Sequence, residues 1–347
     1  MRTPIGLTPL VSVNRLALAP AASPATVTAS SGVLTRTSGK LTTSQSWQLL
    51  PSSQYGRGSN ISFSYNTASY PFNGSQQGWP TLWGLAWNID EVARRIDHVS
   101  VIGGNVIRMP GTVSGIYKGY LSRATYFERW RQVSQRCQER GLFLYPYLAD
   151  YFNDDFAATP AATVQAEVTA AAAFLHTLPD IIGLDLVQET PDSFPASTAG
   201  VSIYNAVKAV TTLPLTYSSL STLSALPPVN APVSKDFHDY HIYSDPSAAD
   251  ATALTTYWSG GGTKPVFFGE FGNNGTDASA TRLQNVRNLM ANTTGSGGQR
   301  VAGGCNWGIE DFVLAGGGDL SGLFAGPVGA YAEKTSLTAV MRTIPIV

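Results

Sequence analysis

From about residue 80 the chain alternates short apolar runs with stretches of helical period. The apolar runs stand at 81–87, 105–109, 143–148, 181–187, 214–218, 237–243, 265–269 and 302–307. Between them, apolar residues recur every three or four positions. Ile89, Val92, Ala93, Ile96 and Val99 share one face, Phe127, Trp130, Val133 and Cys137 a second, and Val164, Val168, Ala171 and Leu175 a third. Asn88 followed by Glu91 predicts a capping box. Thr159 before Pro160 predicts another helix start. Weaker helical stretches lie at 200–210, 250–258, 279–291 and 331–342, and the connection 219–235 has the least period.

Short strands separated by helices predict a parallel sheet of βα units. Eight of them over 80–347 predict an α/β fold of the (β/α)8 TIM barrel type, whose typical size is about 250 residues. The alternative is an open doubly wound sheet, which often carries a glycine-rich phosphate loop after its first strand. The first run here ends Gly84-Leu85-Ala86-Trp87-Asn88, with no such loop.

The first 79 residues read differently. Residues 1–30 are rich in Pro, Ala, Val and Thr without helical period, and predict an extended arm. Residues 31–79 are dominated by Ser, Thr, Gly and Gln, with period-two stretches at 33–37 and 61–65 that predict a short β-rich segment. The expected organisation is therefore 1–79 as arm and β-rich segment, and 80–347 as barrel. Pro4, Pro9, Asn14 and Arg15 interrupt what would be the apolar centre of a secretory signal, so no cleaved signal peptide is expected. An arm of this kind is expected to be held by its own domain or by a neighbour. Residues 1–75 are thus the candidate contact with a larger protein assembly.

Charge narrows the function. Lys and Arg number 22 against 23 Asp and Glu, and charged residues make up 13%, about half the usual share. That balance argues against an electrostatic nucleic-acid binder or a polybasic membrane-surface protein. No run of 18 apolar residues exists, so membrane insertion is not expected. Cys137 and Cys305 are too few for a disulfide scaffold or a structural zinc site, and two buried thiols are expected. Low charge with abundant small polar residues suits an extracellular or virion setting.

In a barrel, chemistry sits at the C-terminal ends of the strands. Standing there are Trp87, Asn88, Arg108, Asp150, Gln188, Glu189, Tyr217, His241, Tyr243, Glu270 and Trp307. Two of these, Glu189 and Glu270, are carboxylates at the ends of the fourth and seventh expected strands, each behind an apolar run. A pair of carboxylates across a barrel mouth is the equipment of glycoside hydrolysis. His238 and His241 have opposite parity, which argues against a two-histidine metal site on that strand. His238-Asp239 lacks the Gly-x-Ser-x-Gly elbow of a serine hydrolase, and Asp154-Asp155 matches no calcium loop. No metal and no cofactor is expected.

Five segments in order now carry a resemblance: Gly104-Asn105-Val106-Ile107-Arg108-Met109-Pro110, Gln188-Glu189-Thr190-Pro191, Tyr240-His241-Ile242-Tyr243, Lys264-Pro265-Val266-Phe267-Phe268-Gly269-Glu270-Phe271-Gly272 and Asn306-Trp307. Residues 80–347 resemble clan A glycoside hydrolases in the style of the cellulase-like family 5. The resemblance implies Glu189 as general acid/base and Glu270 as nucleophile. It implies that Arg108 and Tyr243 hydrogen-bond Glu270 and keep it ionised, that His241 sits beside the acid/base, and that Trp307 floors the reacting sugar. The family has Asn before the acid/base, bonded to the sugar 2-hydroxyl; here that position is Gln188.

The function expected is a retaining β-glycoside hydrolase acting on a polysaccharide or cell-surface glycan. The alternative is a non-catalytic or weakly active glycan-binding component of a larger assembly, such as a phage tail protein. It is motivated by the arm, the absent signal and Gln188. A secreted hydrolase with 31–79 as accessory sugar-binding module is a third reading, weakened because about 50 residues bury little core.

Overall fold

A computed structural model describes residues 36–37, 40–41, 56–61, 87–119, 121–151, 161–220, 223, 226, 234–272, 280–293, 295, 301–309, 312–314, 317–319, 323–325 and 332–344. The arm at 1–30, the strand at 81–86, Asp154-Asp155 and the Thr159-Pro160 cap lie outside the described residues.

One sheet holds nine strand segments, and every pairing within it is parallel. Its staves are β1 (Gly56–Asn60), β2 (Val106–Pro110), β3 (Phe143–Tyr147), β4 (Leu184–Asp185), β5 in two halves (Leu215–Thr216 and Ser218–Ser219), β6 (His238–Ile242), β7 (Val266–Phe271) and β8 (Val301–Asn306). Only Tyr217 separates the halves of β5, one of which pairs with β4 and the other with β6. The last strand pairs with the first, Gly304 opposite Arg57 and Asn306 opposite Ser59. The sheet therefore closes on itself as an eight-staved α/β TIM barrel.

The first stave corrects one expectation. It is Gly56–Asn60, inside the segment assigned to the arm and β-rich part, so the barrel begins before residue 80. Trp87, expected at a strand end, directly precedes Asn88, the N-cap of helix Ile89–Val101. The sequence Gly-Arg-Gly-Ser-Asn has no apolar alternation, and at Gly58 close packing excludes a side chain. A Cβ on Gly58 would lie 2.2 Å from the Val106 carbonyl oxygen and 2.8 Å from the Cys305 Sγ.

The expected helical stripes face the barrel. Val92, Ile96 and Val99, then Trp130, Val133 and Cys137, then Val164, Val168, Ala171 and Leu175 are all buried in one core between helices and staves. Caps fix where these helices begin and end. Asn88 accepts from the Asp90 N–H at 3.0 Å, Ser122 caps Arg123–Arg140, and Gly141 closes that helix at φ 69°. Ser247 and Asp250 form a complete capping box on Ala248–Ser259.

A second, smaller core fills the barrel's own interior: Val106, Tyr145, Ile182, Phe237, Phe267, Ala302 and Cys305. Both cysteines are buried, and neither is in a disulfide. This plug is the floor on which the site stands. Among the described residues no helix is long and apolar enough to cross a membrane.

Candidate active site

Above the plug the interior turns polar. Side chains two apart on a strand share a face, so β2 sends Arg108 inward above Val106, fully buried. Arg108 donates from Nη1 to Glu270 Oε1 at 2.6 Å, and from Nη2 to Asp185 Oδ2 at 2.9 Å and Gln188 Oε1 at 3.1 Å. The Tyr147 ring lies 4.6 Å from the guanidinium carbon. On β6 and one residue past its end, the same parity aligns Asp239, His241 and Tyr243. The Tyr243 hydroxyl donates to Glu270 Oε2, so both oxygens of that carboxylate are held.

Glu189 arrives by a different route. It sits just past β4 at φ 57°, the one non-glycine residue with positive φ among those described. A side chain in the left-handed region is strained by about 1–3 kcal/mol and persists only where neighbours dictate it. Three bonds do so here: the Gln188 N–H to the Ala149 carbonyl at 2.8 Å, the Glu189 N–H to Ser218 Oγ at 3.1 Å, and the Thr190 N–H to the Ser218 carbonyl at 2.9 Å. Strained backbone of this type clusters at functional sites.

His241 joins the two acids. Its Nδ1 lies 3.0 Å from Glu189 Oε1 and 3.4 Å from Glu270 Oε2. Burial pushes the imidazole pKa down to about 4, so the ring is neutral near pH 7. Burial pushes the Glu189 carboxyl up to about 7, reinforced by the negative charge of Asp150 and opposed by Arg108. Burial also raises Glu270; a charged His241 would push back, and Arg108 and the Tyr243 hydroxyl do so. Because His241 is neutral there, Arg108 is the permanent counter-charge of Glu270.

Six of the seven expected residues thus meet at one place: Arg108, Gln188, Glu189, His241, Tyr243 and Glu270. Gln188 is engaged on both ends of its amide, accepting from Arg108 and donating to Asp150 Oδ2 at 2.6 Å. Trp307 stands half-buried just past β8, its N–H bonded to the Phe271 carbonyl at 2.7 Å, one residue beyond Glu270. Two strand-end candidates serve elsewhere. Trp87 packs under Arg129, 5.2 Å from the ring centroid, and Tyr217 donates to the Gly200 carbonyl at 2.6 Å.

Asp185, Asp239, Tyr145 and Tyr147 were not among the expected site residues. Parity would have found Asp239, which alternates with His241 and Tyr243. It would also have found the tyrosines, which alternate along β3. Asp185 carried no signal beyond being an acid inside an apolar run.

By distance, Glu189, His241 and Glu270 are a candidate metal triad, with one donor atom of each within 4.8 Å of the others. The electrostatics oppose it. Both Glu270 oxygens are engaged, and a guanidinium 2.6 Å away repels a second cation.

With this geometry described, the chain can be set beside known proteins. A GH5_18 protein from Streptomyces cattleya, in complex with GlcNAc, superimposes with a TM-score of 0.58 at 14% identity, over 84% of this chain and 80% of that one. An exo-β-1,4-mannosidase from Opitutaceae bacterium strain TAV5 gives 0.57 at 16%, over 83% of this chain and 58% of that one. Saccharomyces cerevisiae Gas2p, in complex with laminaritetraose and laminaripentaose, gives 0.54 at 13%, over 85% and 64%. The chain shares their fold. No family model matches the sequence, and neither does any curated protein. Within that shared barrel, Glu189 and Glu270 follow the fourth strand and end the seventh, at the face where barrel enzymes carry their chemistry.

Proposed function

We propose that the chain is a retaining β-glycoside hydrolase. The observation that carries the reading is the spacing and environment of its two carboxyls. An oxygen of Glu189 and an oxygen of Glu270 lie within 4.8 Å of each other. Retaining enzymes hold their carboxyls about 5–5.5 Å apart, whereas inverting enzymes leave about 6.5–9.5 Å for a water.

In this mechanism Glu189, raised to about 7, is protonated at mildly acidic pH and donates its proton to the leaving-group oxygen. Glu270, its charge supported by Arg108, attacks the anomeric carbon and forms a covalent glycosyl-enzyme. Glu189, now ionised, then takes a proton from the incoming water, whose oxygen displaces Glu270. Neutral His241 orients both acids without carrying charge. Trp307 offers an apolar ring to a sugar face.

The substrate class suggested by the neighbours is a β-linked hexose glycan, with β-mannosides and β-1,3-glucans the first to try. The test is release of reducing sugar from β-mannan, β-glucans, xylan and bacterial cell-wall glycans, beside Glu270→Gln. Release by the wild type alone supports the reading, and equal release by the variant overturns it.

Gln188 favours a second reading, a weakly active glycan-binding component of a larger assembly. Its amide already binds Arg108 and Asp150, which leaves less of it for a sugar 2-hydroxyl. Binding to a glycan without release would favour this reading, with the part of residues 1–75 that precedes the stave Gly56–Asn60 as the proposed assembly contact.

A further inference from the structure

The carboxylate that touches the backbone beside Glu270 is Asp239, a residue with no part in the scheme above. It is fully buried on β6. Its Oδ1 accepts from the Gly269 N–H at 2.6 Å, and its Oδ2 accepts from the Tyr145 hydroxyl. Arg108 Nε is 4.0 Å from Oδ2.

The register of β7 against β6 shows what that contact does. Phe267 is opposite Asp239, but Glu270 is opposite His241. Three steps on β7 therefore match two on β6, a β-bulge of one extra residue. Simple alternation would place Phe267, Gly269 and Phe271 inside the barrel and turn Glu270 toward the helices. The bulge reverses the parity, so that Phe267 joins the plug and Glu270 points into the mouth. Bulges re-aim side chains in this way beside active sites. The bulged residue is glycine for a local reason: a Cβ on Gly269 would lie 2.4 Å from both Asp239 oxygens.

We propose that Asp239 is a positioning residue for Glu270: its carboxylate staples the bulge at Gly269 and braces Arg108 from below. The inference rests on the proposed nucleophile role of Glu270. Asp185 makes a contrasting contact. It pairs with Arg108 at 2.9 Å and accepts from the Ser218 N–H at 3.1 Å, on the far side from β7. Asp239 alone of these two acids links the guanidinium to the β7 backbone. The charged and titratable groups facing it are Arg108 on β2, Tyr145 on β3, Asp185 on β4, Cys305 on β8 and Lys235 just before its own strand.

The experiment uses full-length protein with carboxyl-13C glutamate, as wild type, Asp239→Ala and Asp239→Asn. The Glu270 signal is assigned by its loss in Glu270→Gln. Removing the acceptor in Asp239→Ala is expected to lower kcat about 100-fold, the effect of misplacing a reacting group by about an ångström, with KM within about threefold. Asp239→Asn keeps an acceptor for the Gly269 N–H and is expected to restore most of kcat. Asp239→Ala, which lets Glu270 move away from the Arg108 guanidinium, should make Glu270 titrate at higher pH than in the wild type. A folded Asp239→Ala with unchanged kcat, or a loss confined to KM, overturns the proposal. If that variant does not fold, a folded Asp239→Asn whose kcat falls about 100-fold overturns it, because its amide oxygen still accepts from the Gly269 N–H. Should the wild type release no sugar, the glycosidase reading fails, while the titration still decides whether Asp239 governs Glu270.

Discussion

The ends of the fourth and seventh strands carry the same side chain in opposite settings. At β4, Glu189 is turned over the mouth by a left-handed residue, retains 19% side-chain exposure, and has one neutral partner, His241. At β7, Glu270 is turned inward by a bulge in a fully buried strand, with Arg108 on one oxygen and Tyr243 on the other. Burial raises both carboxyls, but only one has a permanent cation against it. The difference lies less in the acids than in what each strand end delivers beside them. That asymmetry gives two chemically distinct groups from one residue type.

The comparison breaks most severely at Glu270. Glu270→Gln keeps the shape and removes the proposed nucleophile, and turnover should fall by on the order of 10⁴-fold or more, with folding intact by circular dichroism. Arg108→Met attacks the same side through charge. It leaves Glu270, Asp185 and Asp239 buried without their cation, and is expected to destabilise the protein by about 3–5 kcal/mol in urea unfolding. Glu189→Gln should lower kcat by about 10²–10⁴-fold for substrates with poor leaving groups. In the wild type, kcat/KM should fall as pH rises through about 7, where Glu189 loses its proton, and this limb should vanish in the variant.

The smallest effect sharpens the contrast through stability. The folded-state pKa of Glu189, about 7, lies above its unfolded value of about 4.3. Its protonated form therefore supports the fold fully at low pH, and that support is lost as pH rises through about 7. The maximal effect is roughly 3 kcal/mol. Glu189→Gln cannot ionise, so its Tm should match the wild type near pH 4 and exceed it at pH 8. Equal Tm differences at both pH values would mean that burial does not hold the proton on Glu189.

The parts of the molecule that follow a repeating period were legible from sequence. Seven of the eight staves and the helical stripes over 89–99, 130–137 and 164–175 follow apolar periodicity, because each element buries one face against the barrel. Strand-end position then pointed to Glu189 and Glu270. What escaped has no period. Gly56–Asn60 is a stave with no apolar residue and no room for a side chain at Gly58, so its sequence looks like a turn. The bulge at Gly269 breaks the alternation that parity arguments rely on, and that is why a Phe267-based count points Glu270 the wrong way. Asp185 and Asp239 are buried acids whose partner, Arg108, lies 77 residues from the first, a pairing that only the closed barrel creates.

Barrel closure also has a timetable. β1 finds its neighbour β2 early, but its other edge pairs with β8, and the Ser59 hydroxyl reaches the Asn306 carbonyl across 247 residues of chain. At about 5–20 residues per second on the ribosome, that edge waits roughly 12–50 s for its partner to be made. During that interval a short strand of two glycines, an arginine, a serine and an asparagine offers open backbone N–H and C=O groups and almost no apolar surface. A nascent chain with such an edge has little for another unfinished copy to stick to. The composition that hid the first stave from sequence reading thus also suits an edge that must stay open until synthesis reaches the last one.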